Sequence, residues 1–444
     1  MDMVSCGFLN TLEESLKEGK VTEEQINAAC RRVLEAKYKL GLFSDPYKYC
    51  DTLRVEKELY TTAHRAVARE IAAETFVLLK NEDHLLPLER KGKIALIGPM
   101  ADARNNMCGM WSMTCTPSCH GTLLEGIRSA AGDKAEILYA RGSNIYHDAE
   151  LEKGGAGIRP LERGNELQLL DEALHTAARA DVIVAALGEC AEMSGESASR
   201  TELGIPDAQQ DLLKALVKTG KPVVLLLFTG RPLVLNWEDA NVHSILNVWF
   251  GGSETGDAIA DVLFGKVTPG GKLTTTFPRS VGQLPLYYNH LNTGRPDPDS
   301  HSFNRYSSNY LDMSNEPLYP FGYGLSYTNF SYGNLQLSSD VLSRNGELTV
   351  SVTVTNDGDF DGYEIVQMYL HDIYAEISRP VKELKGFERI FLKKGESREV
   401  KFVITEDDLR FNNTGLQYVY EPGEFDVMVG ANSRDVQTER FRAD

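Results

Sequence analysis

Three glutamates stand close together in one polar segment of the chain. Glu189, Glu192 and Glu196 lie within residues 188–201, which directly follow an apolar run, Val182 to Leu187. Such runs are typical of buried strands, and open α/β sheets bind ligands beyond the carboxyl ends of their strands. A glutamate at this place suits general acid or base catalysis, because partial burial raises a carboxyl pKa toward the working pH. Solvated acids on a polar loop are the alternative, and spacing alone does not separate the two.

The same segment offers two other groups that could contact a substrate. Ser194 contributes a hydroxyl and Arg200 a cation, and we take both as candidate substrate-binding residues. The sequence has no Gly-x-Ser-x-Gly motif, which would indicate a serine on a nucleophile elbow. Because His243, His290 and His301 are isolated in the sequence, no Ser-His-Asp arrangement is indicated.

One cluster of sulfur and imidazole ligands could hold zinc. Cys108, Cys115, Cys119 and His120 lie in a single short segment, and four such ligands are enough for a structural site. Their spacing matches no paired-cysteine motif, so a loop with buried thiols is the favoured interpretation. We predict no metal and no cofactor, although the sequence leaves metal binding by these four residues open.

A glycine-rich loop faintly resembles a phosphate cradle. Residues 251–256 follow an apolar run and begin a helical pattern. No Lys-Ser or Lys-Thr pair follows, and Glu254 would repel a phosphate at the helix start. Ser253 and Glu254 fit better as helix-capping and first-turn residues, so nucleotide binding is not expected.

Composition and charge limit the kinds of molecule that this chain is expected to bind. The chain of 444 residues carries a formal net charge of −18, from 46 basic and 64 acidic residues. Such a surface repels nucleic acid and anionic lipid, and no apolar stretch in the sequence is long enough to span a membrane. The seven cysteines are too sparse for a disulfide framework. A neutral substrate such as a sugar is compatible with this composition.

Periodicity divides the chain into helical, α/β and all-β parts. Helical patterns cover most of residues 1–43, where Thr22 and Gln25 form a capping box, and a second helix is predicted from Thr61 to Lys80. Short Val-, Ile- and Leu-rich runs then alternate with helical patterns, which predicts a mainly parallel sheet covered on both faces. The predicted strands are 94–99, 137–140, 182–187, 223–228 and 245–250.

The last part of the chain alternates apolar and polar residues with a period of two. Residues 348–354, 400–404 and 425–429 show this pattern, and turn sequences separate them. Short strands at such spacing predict a β-sandwich of immunoglobulin or fibronectin type. An aromatic run, Tyr319 to Thr328, precedes it; we interpret the run as packing between domains rather than as a sugar-stacking surface.

Six segments spread over the chain form a specific combination. They are Ala68–Asn81, Trp249–Gly256, Ala258–Gly265, Pro269–Leu273, Tyr319–Tyr327 and Arg379–Phe387. Together they resemble glycoside hydrolase family 3, the group of β-glucosidases and β-xylosidases. The resemblance covers essentially the whole chain. It implies a TIM barrel, then an α/β sandwich with a six-stranded, mainly parallel sheet, then a fibronectin type III-like domain.

The resemblance also implies roles for particular residues. Glu196 matches the family's acid/base glutamate by its place in the motif, with Glu192 and Glu189 as alternatives because this loop varies in length. The family's nucleophilic aspartate stands in a strand-end motif of the Ser-Asp-Trp type, which this sequence lacks. A barrel needs about 250 residues. Residues 1–43 therefore resemble only its last helical part, and the chain is expected to be a fragment, inactive or nearly so by itself.

These inferences define the expected organisation and function. We expect the carboxy-terminal part of a retaining exo-β-glucosidase, acting on a β-linked gluco-oligosaccharide or an aryl β-glucoside. A truncated gene, a misplaced start and a split enzyme whose barrel is on a separate chain are all compatible with the sequence. A β-xylosidase piece and a non-catalytic carbohydrate-binding or structural module are the alternatives. The resemblance suggests a periplasmic or secreted location. The predicted divisions are a helical barrel remnant (1–43), a linker (44–65), the α/β sandwich domain (66–275), an irregular connector (276–330) and the fibronectin-like domain (331–444).

Overall fold

The computed structural model describes residues 2–112, 116, 118, 120–156, 162–296 and 303–444, without the side chains of 154–156. The chain divides into two compact units, Met1–His64 and Arg65–Asp444. Cys115, Cys119 and His301, which the sequence singled out, lie outside the described residues. In the described part of the chain, helices that combine the length and the apolar character needed to cross a membrane are absent.

The first unit contains the helices predicted near the start of the chain. They are α1 (Gly7–Lys17) and α2 (Glu23–Lys39). A further short helix, α3 (Arg54–Glu58), lies in the segment predicted as a linker. Thr22 caps α2 as predicted: its hydroxyl accepts from the Gln25 amide at 3.3 Å, and the Gln25 side chain accepts from the Thr22 amide at 3.0 Å. Neither α1 nor α2 has a buried residue.

The helix predicted from Thr61 to Lys80 is wrong at its end. Helix α4 (Thr62–Thr75) stops earlier, and the chain continues as strand β1 (Val77–Asn81). Val77, Leu78 and Leu79 are all buried, so this segment is apolar on both faces. A strand inside a covered sheet has that property, whereas a surface helix has one apolar stripe.

Strand β1 completes a six-stranded sheet, as the resemblance implied. The other five strands are β2 (Lys93–Ile97), β3 (Glu136–Ala140), β4 (Val182–Gly188), β5 (Val223–Phe228) and β6 (Ser244–Asn247). The order across the sheet is β1-β6-β5-β4-β2-β3. Only the pairing of β1 with β6 is antiparallel among these neighbours. The sheet is therefore mainly parallel, with its one antiparallel strand at an edge.

Helices cover both faces of this sheet. The helices after α4 in the α/β part are α5 (Leu123–Ala131), α6 (Ala149–Ala156), α7 (Glu166–Ala178), α8 (Asp207–Val217), α9 (Asn236–Asn241) and α10 (Thr255–Leu263). The short α11 (Glu406–Leu409) belongs to the all-β part, where Leu409 joins the core. One buried core joins α4, α5 and α10 to the sheet. A second core joins α7 and α8 to the opposite face. This three-layer arrangement confirms the predicted α/β sandwich.

The all-β part is a sandwich of two sheets around a third core. The strands are β7 (Phe330–Tyr332), β8 (Gln336–Leu337), β9 (Val341–Leu342), β10 (Leu348–Asn356), β11 (Gly362–Asp372), β12 (Glu383–Leu392), β13 (Ser397–Ile404), β14 (Phe411–Asn412), β15 (Tyr418–Val419), β16 (Gly423–Gly430) and β17 (Val436–Ala443). One sheet has the order β13-β10-β7, with β8 paired to β10, and the other has the order β12-β11-β16-β17-β9. Strands β14 and β15 form a separate pair.

The aromatic run between the α/β sandwich and the β-sandwich packs inward. The Tyr319 hydroxyl donates to Asp239 Oδ1 at 2.7 Å, and the Tyr327 hydroxyl donates to the Val262 carbonyl at 2.9 Å. Both tyrosines are buried. Burial raises the pKa of each phenol well above its usual value, so both stay neutral donors. The run is a packing surface, in agreement with the interpretation from the sequence.

Candidate active site

The loops that follow three parallel strands meet at one edge of the sheet. The loop after β4 contains the three glutamates, and its Ala191 amide donates to Asn106 Oδ1, beyond β2, at 2.8 Å. The Gly252 amide, beyond β6, donates to the Met107 carbonyl at 3.3 Å. Parallel strands present their carboxyl ends together, which explains why segments distant in sequence are neighbours here.

Glu189 lies at the bottom of this loop cluster and is fully buried. Arg200 Nη1 donates to its carboxylate at 2.8 Å, and the Thr229 hydroxyl donates at 2.9 Å. The Gly230 amide donates at 3.1 Å, and Arg231 Nε forms an ion pair at 3.1 Å. All these contacts stabilise a charged carboxylate. Glu189 is thus a buried counter-ion with no exposed oxygen to offer a substrate.

Arg231 connects this buried carboxylate to the loop above it. Its Nη2 donates to the Ala198 carbonyl at 2.7 Å and also to the Met193 carbonyl. These two carbonyls flank the four-residue turn 194–197. One guanidinium group therefore holds both ends of the turn. Arg231 was not among the site residues predicted from the sequence, although its position just after strand β5 could have pointed to this edge of the sheet.

Glu196 lies at the exposed tip of that turn. Gly195 before it has φ 104° and Ser197 after it has φ 59°. Both values lie in the left-handed region, which glycine adopts freely and serine seldom does. A Cβ at Gly195 would lie 3.2 Å from Met110 Cγ and 3.2 Å from Trp111 Nε1. The turn therefore needs a glycine there to pass close to the loop beyond β2.

Glu192 faces inward, unlike Glu196. It lies in a single 3₁₀ turn, Ala191–Met193, and both of its carboxylate oxygens are buried. The neighbouring Cys190 is also buried, and that burial, with the negative Glu192 nearby, raises the pKa of its thiol to about 12. A thiol with that pKa is not a nucleophile at neutral pH. Of the three glutamates, Glu196 alone is exposed.

The two candidate substrate-binding residues have different surroundings. Arg200 is mostly buried, and it donates to Glu189 and, through Nη2, to the Gly204 carbonyl at 2.9 Å. Ser194 is half-buried at the start of the turn and packs closely against Gly230. A Cβ at residue 230 would lie only 2.3 Å from the Ser194 hydroxyl oxygen. Arg200 thus has a structural role, and a sugar contact by either residue stays a prediction.

The candidate zinc ligands divide into described and undescribed residues. Cys108 is disulfide-bonded, so it offers no thiolate to a metal. His120 is buried, with Nε2 3.7 Å from Cys108 Sγ. No group of three or more metal-ligating side chains occurs within the ranges that the structure describes. The other two cysteines of this group lie outside those ranges.

The structure thus combines a covered α/β sheet, a carboxylate-bearing loop at the carboxyl edge of that sheet, and a β-sandwich that follows it. Residues 76–327 match the glycosyl hydrolase family 3 C-terminal domain, and residues 364–433 match the fibronectin type III-like domain. The chain belongs to glycoside hydrolase family 3.

Relatives with curated names support this assignment along the whole chain. A periplasmic β-glucosidase of Salmonella typhimurium is 46% identical over 451 residues, covering 99% of this chain and 58% of the relative. A β-xylosidase of Formosa agariphila is 39% identical, covering 96% of this chain and 56% of the relative. The chain thus spans a little over half the length of these relatives.

A solved structure shows the same fold. The β-glucosidase of Listeria innocua in complex with isofagomine superposes with a TM-score of 0.88 at 37% identity, covering 100% of this chain and 59% of that one. A mutant of the Listeria enzyme in complex with laminaribiose superposes with a TM-score of 0.87 at 36% identity, covering 100% of this chain and 58% of that one. The predicted family and fold are thereby confirmed.

Proposed function

We propose that this chain is the acid/base-bearing part of a retaining exo-β-glucosidase that releases terminal β-D-glucosyl residues. The observation that carries the proposal is the contrast among the three glutamates of the loop after β4. Glu189 is locked in ion pairs and Glu192 faces inward, whereas Glu196 is exposed at the tip of the turn. Of these three glutamates, Glu196 alone has a carboxyl that could reach a glycosidic oxygen outside the loop.

Glu196 would act twice in each turnover. It first donates a proton to the departing oxygen, and as a carboxylate it then removes a proton from the water that hydrolyses the glycosyl-enzyme. The covalent step needs a second carboxylate, about 5–5.5 Å away, as nucleophile. The Ser-Asp-Trp-type motif expected for it is not in these 444 residues. We therefore propose that a barrel, in the same polypeptide or another, supplies the nucleophile.

The test joins this chain to the part of the Salmonella relative that it does not match. We expect the joined protein to hydrolyse phenyl β-glucoside, whose phenolate is a poor leaving group, and the isolated chain to be inactive or nearly so. Glu196→Gln should lower kcat/KM of the joined protein roughly 10²–10⁴-fold for a poor leaving group, which needs protonation. The loss should be much smaller for 2,4-dinitrophenyl β-glucoside, whose leaving group departs without a proton.

Glu202→Gln is the matched control, because Glu202 is exposed a few residues further along the same loop. It should leave both substrates unaffected. Full activity of the joined Glu196→Gln protein toward the poor leaving group would remove Glu196 from the acid role. Covalent labelling of the isolated chain by a 2-fluoroglucoside would show that it contains its own nucleophile.

One alternative has specific support. The β-xylosidase relative, 39% identical over nearly the whole chain, favours a xylosidase piece as the second candidate. Comparing kcat/KM for aryl β-glucoside and aryl β-xyloside in the joined protein decides between them. A joined protein that folds and is inactive on both would instead support a non-catalytic carbohydrate-binding or structural module.

A further inference from the structure

We propose that Arg231 is a positioning residue for the acid/base turn and that buried Glu189 is the anchor through which it acts. This inference rests on the proposed role of Glu196. The sequence alone left Glu189 as an alternative acid/base residue. Its role in this proposal is instead to orient Arg231, the cation that holds the Glu196 turn.

Arg231 holds the turn 194–197 at both of its ends, and we call these two contacts of its guanidinium group the clamp. Its Nη2 donates to the Ala198 carbonyl at 2.7 Å and to the Met193 carbonyl, so one nitrogen bridges the two ends of the turn. The clamp fixes the distance between those ends. Because Glu196 is exposed at the tip, its direction depends on how the two ends are held.

Arg231 is in turn held in place by buried Glu189. Glu189 is fully buried and pairs with Arg231 Nε at 3.1 Å and with Arg200 Nη1 at 2.8 Å. Two guanidinium groups thus share one carboxylate, and backbone carbonyls accept from their Nη2 atoms. The Gly204 carbonyl accepts from Arg200 at 2.9 Å. Glu189 therefore orients two cations that together hold the loop from Met193 to Gly204.

The turn needs such a constraint because its backbone is strained. Ser197 has φ 59°, a conformation that residues other than glycine adopt only when their surroundings enforce it. Released from Arg231, the turn would relax toward ordinary backbone angles and carry the Glu196 carboxyl with it. Catalysis is sensitive to displacements of about 1 Å at the reacting groups.

The first experiment measures the clamp on the full 444-residue chain by amide hydrogen exchange. In Arg231→Met, the hydrogen-bonded amides of Ala191, Met193 and Ser194 should exchange at least roughly tenfold faster than in the wild type, because the turn that follows them loses its clamp. Arg231→Lys should be intermediate, because an ammonium lacks the planar fork of donors.

Arg69→Met is the matched control. Arg69, on α4, also pairs with a mostly buried carboxylate, that of Asp261, at 2.6 Å, but it lies outside the Glu196 loop. Arg69→Met should leave exchange at those three amides unchanged.

The second experiment separates positioning from simple damage in the joined protein. Arg231→Lys should lower kcat/KM for phenyl β-glucoside roughly tenfold more than for the 2,4-dinitrophenyl substrate, as Glu196→Gln does, because only the first needs a placed proton donor. A damaged fold would lower both equally. Unchanged exchange in Arg231→Met, or equal losses on both substrates in Arg231→Lys, would overturn the inference.

The two proposals can fail separately. If Glu196→Gln shows the leaving-group difference and Arg231→Lys does not, Glu196 remains the acid and the positioning role of Arg231 is lost. If Glu196→Gln shows no such difference, the proposed function fails, while the hydrogen-exchange result still decides whether Arg231 holds the turn.

Discussion

At the scale of single residues, environment separates side chains of the same type. Glu189 and Glu196 are seven positions apart in one loop. The first is fully buried among two arginines, a hydroxyl and an amide, and the second is exposed. Spacing showed that a carboxylate would stand at this edge of the sheet. It could not show which one faces outward, because that depends on Arg231, 42 residues after Glu189 in the sequence.

The burial of Glu189 leads to a stability prediction. Glu189→Gln should lower the free energy of unfolding by about 3–5 kcal/mol, since it leaves two guanidinium groups without their shared carboxylate. Urea denaturation followed by circular dichroism measures this. Glu196→Gln should change the same free energy by less than about 0.5 kcal/mol, as surface substitutions do. Equal effects of the two variants would contradict the assignment of Glu189 as a buried counter-ion.

At the scale of elements, most strands of the α/β part could be predicted from the sequence, whereas strand β1 could not. Runs of Val, Ile and Leu located β2 to β6, because strands buried on both faces need apolar residues throughout. Strand β1 was hidden, since it follows α4 after one residue and its apolar residues also continue the helical pattern. Its antiparallel pairing with β6 is a tertiary contact, which local periodicity does not contain.

One element-scale contact should make stability depend on pH. His147 Nδ1 lies 3.0 Å from Glu166 Oε2 on α7, and its Nε2 lies 3.2 Å from Asp211 Oδ2 on α8. Burial acts to lower the pKa of His147, but the hydrogen bonds to the two carboxylates outweigh it, so the pKa is raised. The protonated form therefore stabilises the fold below the unfolded-state pKa. That contribution is lost as pH rises through the folded-state pKa.

The expected consequence is small, because the His147 side chain is 44% exposed. His147→Gln should lower the free energy of unfolding by about 0.2–1 kcal/mol near pH 5.5 and by little near pH 8.5. Urea titrations at the two pH values measure the difference. His175→Gln, at an exposed position of α7, is the control and should show no such trend. A cost for His147→Gln that grows with pH would contradict the predicted sign.

At the scale of the whole molecule, a buried ion pair ties the α/β sandwich to the β-sandwich. Lys272 Nζ lies 3.0 Å from Glu364 Oε1 on β11, and it donates to the Gly324 carbonyl at 2.9 Å. The two side chains are only 11% and 5% exposed. Water therefore screens this pair little, and the β-sandwich is bound to its neighbour by charge as well as by the aromatic run.

Removing one partner of this pair should cost more than removing both charges. Lys272→Met leaves a buried, unpaired carboxylate and should lower the free energy of unfolding by about 3–5 kcal/mol. Adding Glu364→Gln should recover a large part of that loss, because a neutral amide needs no counter-ion. Urea denaturation of the two single variants and the double variant gives the coupling energy. A coupling energy near zero would mean that the contact between Lys272 and Glu364 adds nothing to the attachment of the β-sandwich.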